Sequence, residues 1–169
     1  MIHYSVKASP LLVGFTDSDW AGDPDDRKST VDYVFTLGSG PITWAWKKQS
    51  VISLSSVEVE YHGTVEASKE ALWLRQILSE FGFQQQHSTT LWCDNQSAIQ
   101  LCKDPVQHKR SKHIDLHMHF NKNLIYDHVL AVQYCSTDDQ AAYIFTKALT
   151  EAKFTKLLVG VQEIVTKEG

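Results

Sequence analysis

The hydrophobic period changes near residue 55, and that change limits the folds open to this chain more than any other feature. Before it, β-branched and aromatic residues gather in short runs at 11–16, 31–37 and 42–46, with 51–54 continuing the pattern. Gly38-Ser39-Gly40-Pro41 punctuates them as a turn, and 22–28, with Asp23, Pro24, Asp25 and Asp26, reads as a loop. Three strands joined in this way predict an antiparallel meander. After it, Val57, Tyr61, Thr64, Val65, Ala67, Ala71, Leu72, Leu74, Ile77, Leu78 and Phe81 fall at helical spacing. This predicts one long helix over 56–81, capped by Ser55 or Ser56 and stopped by Gly82.

Strands and helices then alternate. The pattern predicts a strand at 89–93, a helix at 95–103 ended before Pro105, a basic loop at 108–112, a helix at 114–126 and a strand at 129–134. Thr137 or Asp138 caps a helix to Ala148, and an amphipathic helix covers 151–165. A meander followed by alternation gives an α/β fold, a mixed sheet flanked by helices. The 169 residues suit one domain over 11–150, with a short extension at 1–10 and a C-terminal helix and tail at 151–169.

Composition removes several alternatives. Hydrophobic residues make up 43% of the chain and charged residues 21%, too apolar a balance for a disordered segment. No apolar run approaches the ~20 residues that span a bilayer, and Met1 to Pro10 holds no apolar signal-peptide core. Cys93, Cys102 and Cys135 cannot all pair and form no C-x-x-C, which argues against a disulfide scaffold or a cysteine zinc knuckle. The expected setting is reduced and intracellular, with no membrane contact. The net charge of -4 is unlike the basic balance of a general nucleic-acid binder.

A local cluster of carboxylates lowers net charge by itself, so the positions of the acids decide more than their sum. Asp17 ends the first predicted strand, Asp94 ends the fourth, and Glu60 lies in the first turns of the long helix. In layered α/β folds, sites form outside the ends of adjacent strands. If the first and fourth strands are neighbours, Asp17 and Asp94 project into one space with Glu60 facing it. Three such carboxylates repel one another unless a divalent cation neutralises them, and oxygen-only ligands suit Mg2+ or Mn2+ rather than zinc. Two such ions ~3.5–4 Å apart clamp a phosphate for in-line hydrolysis. On spacing alone, each acid also reads as a solvated residue at a strand end or helix start.

The residues around these acids are more specific. They include Thr16-Asp17-Ser18-Asp19-Trp20-Ala21-Gly22-Asp23, Asp26-Arg27-Lys28-Ser29-Thr30, and Leu54-Ser55-Ser56-x-Glu58-x-Glu60-Tyr61. Further along stand Lys69-Glu70-Ala71-Leu72-Trp73-Leu74, Cys93-Asp94-Asn95-Gln96-Ser97-Ala98-Ile99, Lys112-His113-Ile114-Asp115 and Thr146-Lys147-x-Leu149. Together these motifs resemble the ribonuclease H domain of copia-type LTR retrotransposon Pol polyproteins. The resemblance implies a ribonuclease H-like fold, a five-stranded mixed sheet with its first three strands antiparallel. It implies an endonuclease that cleaves the RNA strand of RNA–DNA hybrids during reverse transcription, leaving 5′-phosphate and 3′-hydroxyl ends. It also implies two Mg2+ ions, replaceable by Mn2+, and a reverse transcriptase portion of the same polyprotein. The setting implied is cytoplasmic, in a virus-like particle, or nuclear.

The family uses four carboxylates as catalytic metal ligands. Asp17 matches the first and is preferred to Asp19, which is expected on the opposite face of the strand. Glu58 and Glu60 cannot share a helix face, and Glu60, directly before Tyr61, is preferred for the second. Asp94 matches the third. Where the family reads A-D-I-x-T-K, this chain reads Ala142-Tyr143-Ile144-Phe145-Thr146-Lys147, so Tyr143 stands in place of the fourth acid. A neutral phenol is a poor Mg2+ ligand, and Asp139 is the candidate substitute. Two readings therefore stay open: a nuclease weakened by Tyr143, or a catalytically impaired module that keeps hybrid binding or another interaction. Val31-Asp32 also replaces a usual Ser-Gly pair, and His117 a usually basic residue.

Lys109, Arg110, Lys112 and His113 form a dense basic stretch suited to gripping a phosphate backbone, or simply a solvated loop. Asn95 and Gln96 are placed to donate to 2′-hydroxyls or minor-groove edges, although Asn95 also reads as a helix cap. His113 and His117 share a helical face, but no Glu follows His113 in an H-E-x-x-H arrangement, so zinc is not expected. Trp44, Trp73 and Trp92 are expected in the core, Trp20 and Trp46 are open, and Cys93 reads as a small buried hydrophobe.

Overall fold

The computed structural model describes residues 11–19, 28–38, 40–49, 56–103, 112–146, 149–153, 155 and 157, without the side chains of 112–118, 145 and 146. β1 (Leu12–Asp19), β2 (Thr30–Leu37) and β3 (Gly40–Lys48) come first, followed by the 25-residue α1 (Ser56–Glu80). β4 (Thr89–Cys93), α2 (Gln96–Lys103), α3 (Lys112–Tyr126), β5 (Leu130–Tyr134) and the single turn α4 (Tyr143–Thr146) follow. One sheet holds the five strands in the order β3-β2-β1-β4-β5. β1 to β3 are antiparallel, and β4 and β5 run parallel to β1. This is the mixed α/β sheet that the change of period predicts.

The alternation of side chains across β1 divides the core in two. Leu12 turns towards the long helices, where Phe35, Leu91, Cys93, Leu130 and Val132 join Tyr61, Val65, Ala71, Leu74, Ile99 and Cys102. Val13, Phe15 and Val34 turn the other way, under Ala141, Ala142 and Trp92. Each Leu, Val or Phe fully buried in this way contributes about 1.5–3 kcal/mol. Gly14 makes the first layer close: a Cβ there would lie 2.5 Å from Phe35 Cε1 and 2.9 Å from Leu91 Cδ1. Buried on both faces, β1 reads in the sequence as a continuous apolar run.

α1 ends as expected. Gly82 takes φ 83°, and the Phe83 amide donates to the Leu78 carbonyl at 2.7 Å, a left-handed helix stop. One turn earlier, Arg75 fastens the connection to β4. Its guanidinium donates to the carbonyls of His87 (2.8 Å) and Gln85 (2.9 Å) and to Thr89 Oγ1 (2.9 Å). A buried polar contact joins the three long helices: Asn121 Nδ2 donates to Thr64 Oγ1 at 3.3 Å, and Thr64 Oγ1 meets Cys102 Sγ at 3.4 Å.

The structure departs from expectation in three places. First, the helix expected from Thr137 or Asp138 to Ala148 begins only at Tyr143, and 137–139 and 141–142 form turns. Ser136, Thr137, Asp138 and Asp139 favour local side-chain hydrogen bonds over helix, and Ser136 Oγ donates to Asp139 Oδ2 at 2.7 Å. Gln140, wholly buried, then anchors the segment by donating from Nε2 to the Thr16 carbonyl at 2.8 Å. Second, Trp44 and Trp73 are not core: each is 56% exposed, because Trp44 lies on an edge strand and Trp73 on the solvent side of α1. Trp46 is likewise 61% exposed, while Trp92 packs against the second cluster. Third, α3 begins at Lys112, two residues before the expected start.

The expected run at 51–54, the loop at 22–28 apart from Lys28, Trp20, residues 1–10 and most of the terminal helix at 151–165 lie outside the described residues. Among the described residues, the three cysteines are free and no helix is long and apolar enough to cross a membrane.

Candidate active site

β1 and β4 are adjacent and parallel, with Thr16 level with Cys93. One residue further along each chain, Asp17 and Asp94 come level at the same end of the sheet. Asp17 shares the face of Val13 and Phe15, the side covered by Ala141 and Ala142, and is only 2% exposed. Asp19 does not point to the opposite face as expected: residues two apart on a strand share a face, so it lies on the side of Asp17, but it is exposed. Asp94, just past the end of β4, is half-buried.

Glu60 reaches this end of the sheet from α1. One turn beyond it, Gly63 lets the helix approach β1 closely: a Cβ on Gly63 would collide with Ser18 Oγ and lie 3.3 Å from Thr16 Oγ1. Glu60 is buried and Glu58 half-buried, as their different helix faces require. Metal-ligating atoms of Glu60, Cys93 and Asp94 all lie within 4.8 Å of one another. Burial first, then the charges of Glu60 and Asp94, push the Cys93 thiol up and keep it neutral at ordinary pH. Cys93 therefore acts as the small buried hydrophobe expected, and the donors suited to a hard cation are the carboxylates.

Tyr143 closes the opposite side. The first residue of α4 is 7% exposed, and its hydroxyl donates to Asp94 Oδ2 at 3.3 Å. Thr137 Oγ1 donates to the same oxygen at 3.2 Å. The Tyr143 phenol is pushed far up, mainly by burial, then by the charges of Asp17 and Asp94, the bond to Asp94 and the charge of Glu60. One phenol thus feels all three carboxylates, which come from positions 17, 60 and 94 of the chain. Lys153 Nζ stands 5.5 Å from the centre of the Tyr143 ring and 3.4 Å from Asp138 Oδ1.

Asn95 acts as a helix cap: its Oδ1 accepts from the Ala98 amide at 3.0 Å. Gln96 opens α2 and is exposed. Asp139 is exposed on the turn before α4, bonded to Ser136. Lys109 and Arg110 lie outside the described residues, and Lys112 and His113 open α3 with their side chains outside the described set. Sequence reasoning missed Gln140, which seats the α4 segment beside Asp17. A glutamine inside a predicted helix carries no local signal of that contact.

The fold is that of ribonuclease H. Crystal structures with which it aligns include LC11 RNase H1 in complex with an RNA/DNA hybrid, at TM-score 0.56 and 10% identity over 77% of this chain and 88% of that one. The N-terminal RNase H domain of a Mycobacterium tuberculosis protein aligns at TM-score 0.56 and 11% identity over 95% and 99% of the two chains.

The chain is homologous to one stretch of the retrovirus-related Pol polyproteins of plant transposons. It is 41% identical to that of transposon TNT 1-94 of Nicotiana tabacum over 156 residues, 91% of this chain and 12% of the relative. It is 43% identical to that of transposon RE2 of Arabidopsis thaliana over 143 residues, 85% of this chain and 10% of the relative. The chain thus spans only 10–12% of the length of these curated relatives. No protein-family model matches it.

Proposed function

We propose that this chain is a copia-type ribonuclease H domain, a divalent-metal-dependent endonuclease on the RNA strand of RNA–DNA hybrids. The observation that carries the reading is that Glu60 and Asp94 stand within ligating distance of each other, while Asp17 lies at the same end of β1 and β4 and acts with both on Tyr143, in a fold shared with a hybrid-bound ribonuclease H. Buried carboxylates this close are costly unless a cation or protons offset their charge. Their all-oxygen donor set fits Mg2+, with Mn2+ able to replace it. A bound divalent ion supplies charge stabilisation at the scissile phosphate and lowers the pKa of the attacking water.

The protein's own residues do the positioning. Gly63 sets the distance of α1 from β1, and therefore the reach of Glu60. Gln140 holds the segment carrying Tyr143 against β1. Thr137 and Tyr143 orient Asp94 through Oδ2. The basic stretch at Lys109, Arg110, Lys112 and His113 takes the hybrid backbone, with Gln96 at the mouth of the site. The domain occupies 11–150, with 1–10 and 151–169 as extensions, and works beside the reverse transcriptase of its polyprotein inside the cell, in a particle or the nucleus.

Tyr143 favours a second reading. Its buried hydroxyl bonded to Asp94 fills the position where the family pattern has an acid, which suits a module that binds hybrid and cleaves it slowly or not at all. Cleavage and binding of labelled RNA–DNA hybrid, duplex RNA and duplex DNA separate the two. Mg2+-dependent cleavage confined to the hybrid supports the nuclease; tight hybrid binding without cleavage supports the module. Equal binding to all three duplexes with no cleavage of any would refute both.

A further inference from the structure

The sheet register brings a further carboxylate to the site. Asp32 of β2 lies directly across from Asp17, and beyond it Asp32 pairs with Trp46 of β3. Opposite residues of an antiparallel pair share a face, with Cβ atoms about 4.5–5.5 Å apart. Asp32 and Asp17 therefore stand side by side on the face that carries Tyr143, and each is only 2% exposed. Asp17 and Asp94 come level on the next strand, so Asp32, Asp17 and Asp94 form one lateral row.

Two like charges directly opposite on adjacent strands destabilise a sheet, and burial raises that cost. The chain carries this pair at one departure from the family pattern and has a second at Tyr143. An acid is missing on α4, at Tyr143, and an acid is gained on β2, at Asp32.

We propose that Asp32 replaces the missing fourth carboxylate, so that Asp17 and Asp32 would hold one divalent cation and Glu60 and Asp94 the other. The fourth ligand would thus have moved across the sheet from helix to strand. This rests on the metal-dependent reading above. It adds which residue completes the site, and it changes what Tyr143 does: its hydroxyl orients Asp94 and holds no ion.

Binding of Mn2+ to the full chain, counted by calorimetry, tests the assignment alongside melting midpoints in chelator and in Mn2+. The proteins compared are the native chain, Asp32→Asn, Asp32→Gly and Asp94→Asn. The native chain is expected to bind two ions. Asp32→Asn is expected to bind one, with affinity at the other position down by about tenfold or more, since losing even an outer partner costs 10–100-fold. Its melting midpoint should also rise less than the native one on going from chelator to Mn2+. That smaller rise is the discriminating result, because a merely structural Asp32 would shift both midpoints alike.

Asp32→Gly restores the small residue of the family pattern and gives the same answer if the asparagine variant folds poorly. If Asp94→Asn weakens Mn2+ binding while both Asp32 variants bind like native, Asp32 is overturned and the three-acid site stands. A native chain that binds no Mn2+ overturns both.

Discussion

Removing one oxygen from Tyr143 measures how far the site is held by its own hydrogen bonds. Tyr143→Phe keeps the ring and its contact with Lys153 while deleting the donor to Asp94 Oδ2. A hydrogen bond to a charged group is worth about 1.5–3 kcal/mol. Here the 3.3 Å separation is well beyond the ~2.5–2.7 Å of a strong O–H···O⁻ bond, and Asp94 Oδ2 keeps its bond from Thr137. Both facts put the loss near the lower bound, about 1–1.5 kcal/mol. For a chain of this size that lowers the melting midpoint by roughly 3–6 °C.

The site reading adds a second expectation. A cation drawn to Asp94 competes with the phenol for the same oxygen, so the loss should shrink by at least half in saturating Mg2+. Differential scanning calorimetry in chelator and in Mg2+ measures both quantities. An equal loss under the two conditions would show that no ion engages Asp94, and no loss in either would show that the bond carries no weight.

Three further outcomes follow from the same structure. Arg75→Lys cannot reproduce the three-point fork to His87, Gln85 and Thr89, and should cost about 1–3 kcal/mol in urea unfolding. His128 holds φ 56° in the turn between α3 and β5. His128→Gly should therefore stabilise by about 1 kcal/mol, read by the same denaturation.

Stability should also fall as pH rises above about 9. Burial raises the Cys93 and Cys102 thiols, and raises Cys135 from 9.0 to about 12. The unfolded chain releases these protons first, so the stability they lend is full below the unfolded pKa and is lost as pH climbs towards the folded one. The slope reaches about 1.4 kcal/mol per pH unit for each thiol. Urea midpoints between pH 7 and 11 check this, and a flat profile would contradict the burial of the thiols.

The sequence made the sheet legible because its signals were local. β1, β2 and β4 announce themselves as β-branched runs, and Gly82 marks the end of a helix whose apolar spacing continues for seven turns. Asp17, Glu60 and Asp94 stand out for a different reason: each sits inside words that resemble a family pattern, and the parallel pairing of β1 with β4 sets the first and third at one end of the sheet. What stayed hidden depends on contacts made at a distance. Nothing near Gln140 signals that its amide will bond to Thr16, so the α4 segment reads as a longer helix than it is. Trp44 alternates as a core residue would, yet it lies on an edge strand whose outer face is left open. Asp32 looks like an isolated replacement until the antiparallel register sets it against Asp17.

The central claim is that the carboxylates at the ends of β1 and β4 cut RNA paired to DNA. The measurement that tests it most directly is cleavage of an end-labelled RNA–DNA hybrid in Mg2+ by the native chain and by Asp94→Asn, with the product ends identified. The account predicts RNA fragments ending in 3′-hydroxyl groups from the native chain and at least about 100-fold less product from the variant, the scale of losing a group that stabilises the transition state. Native and variant chains that cleave at the same rate would contradict it.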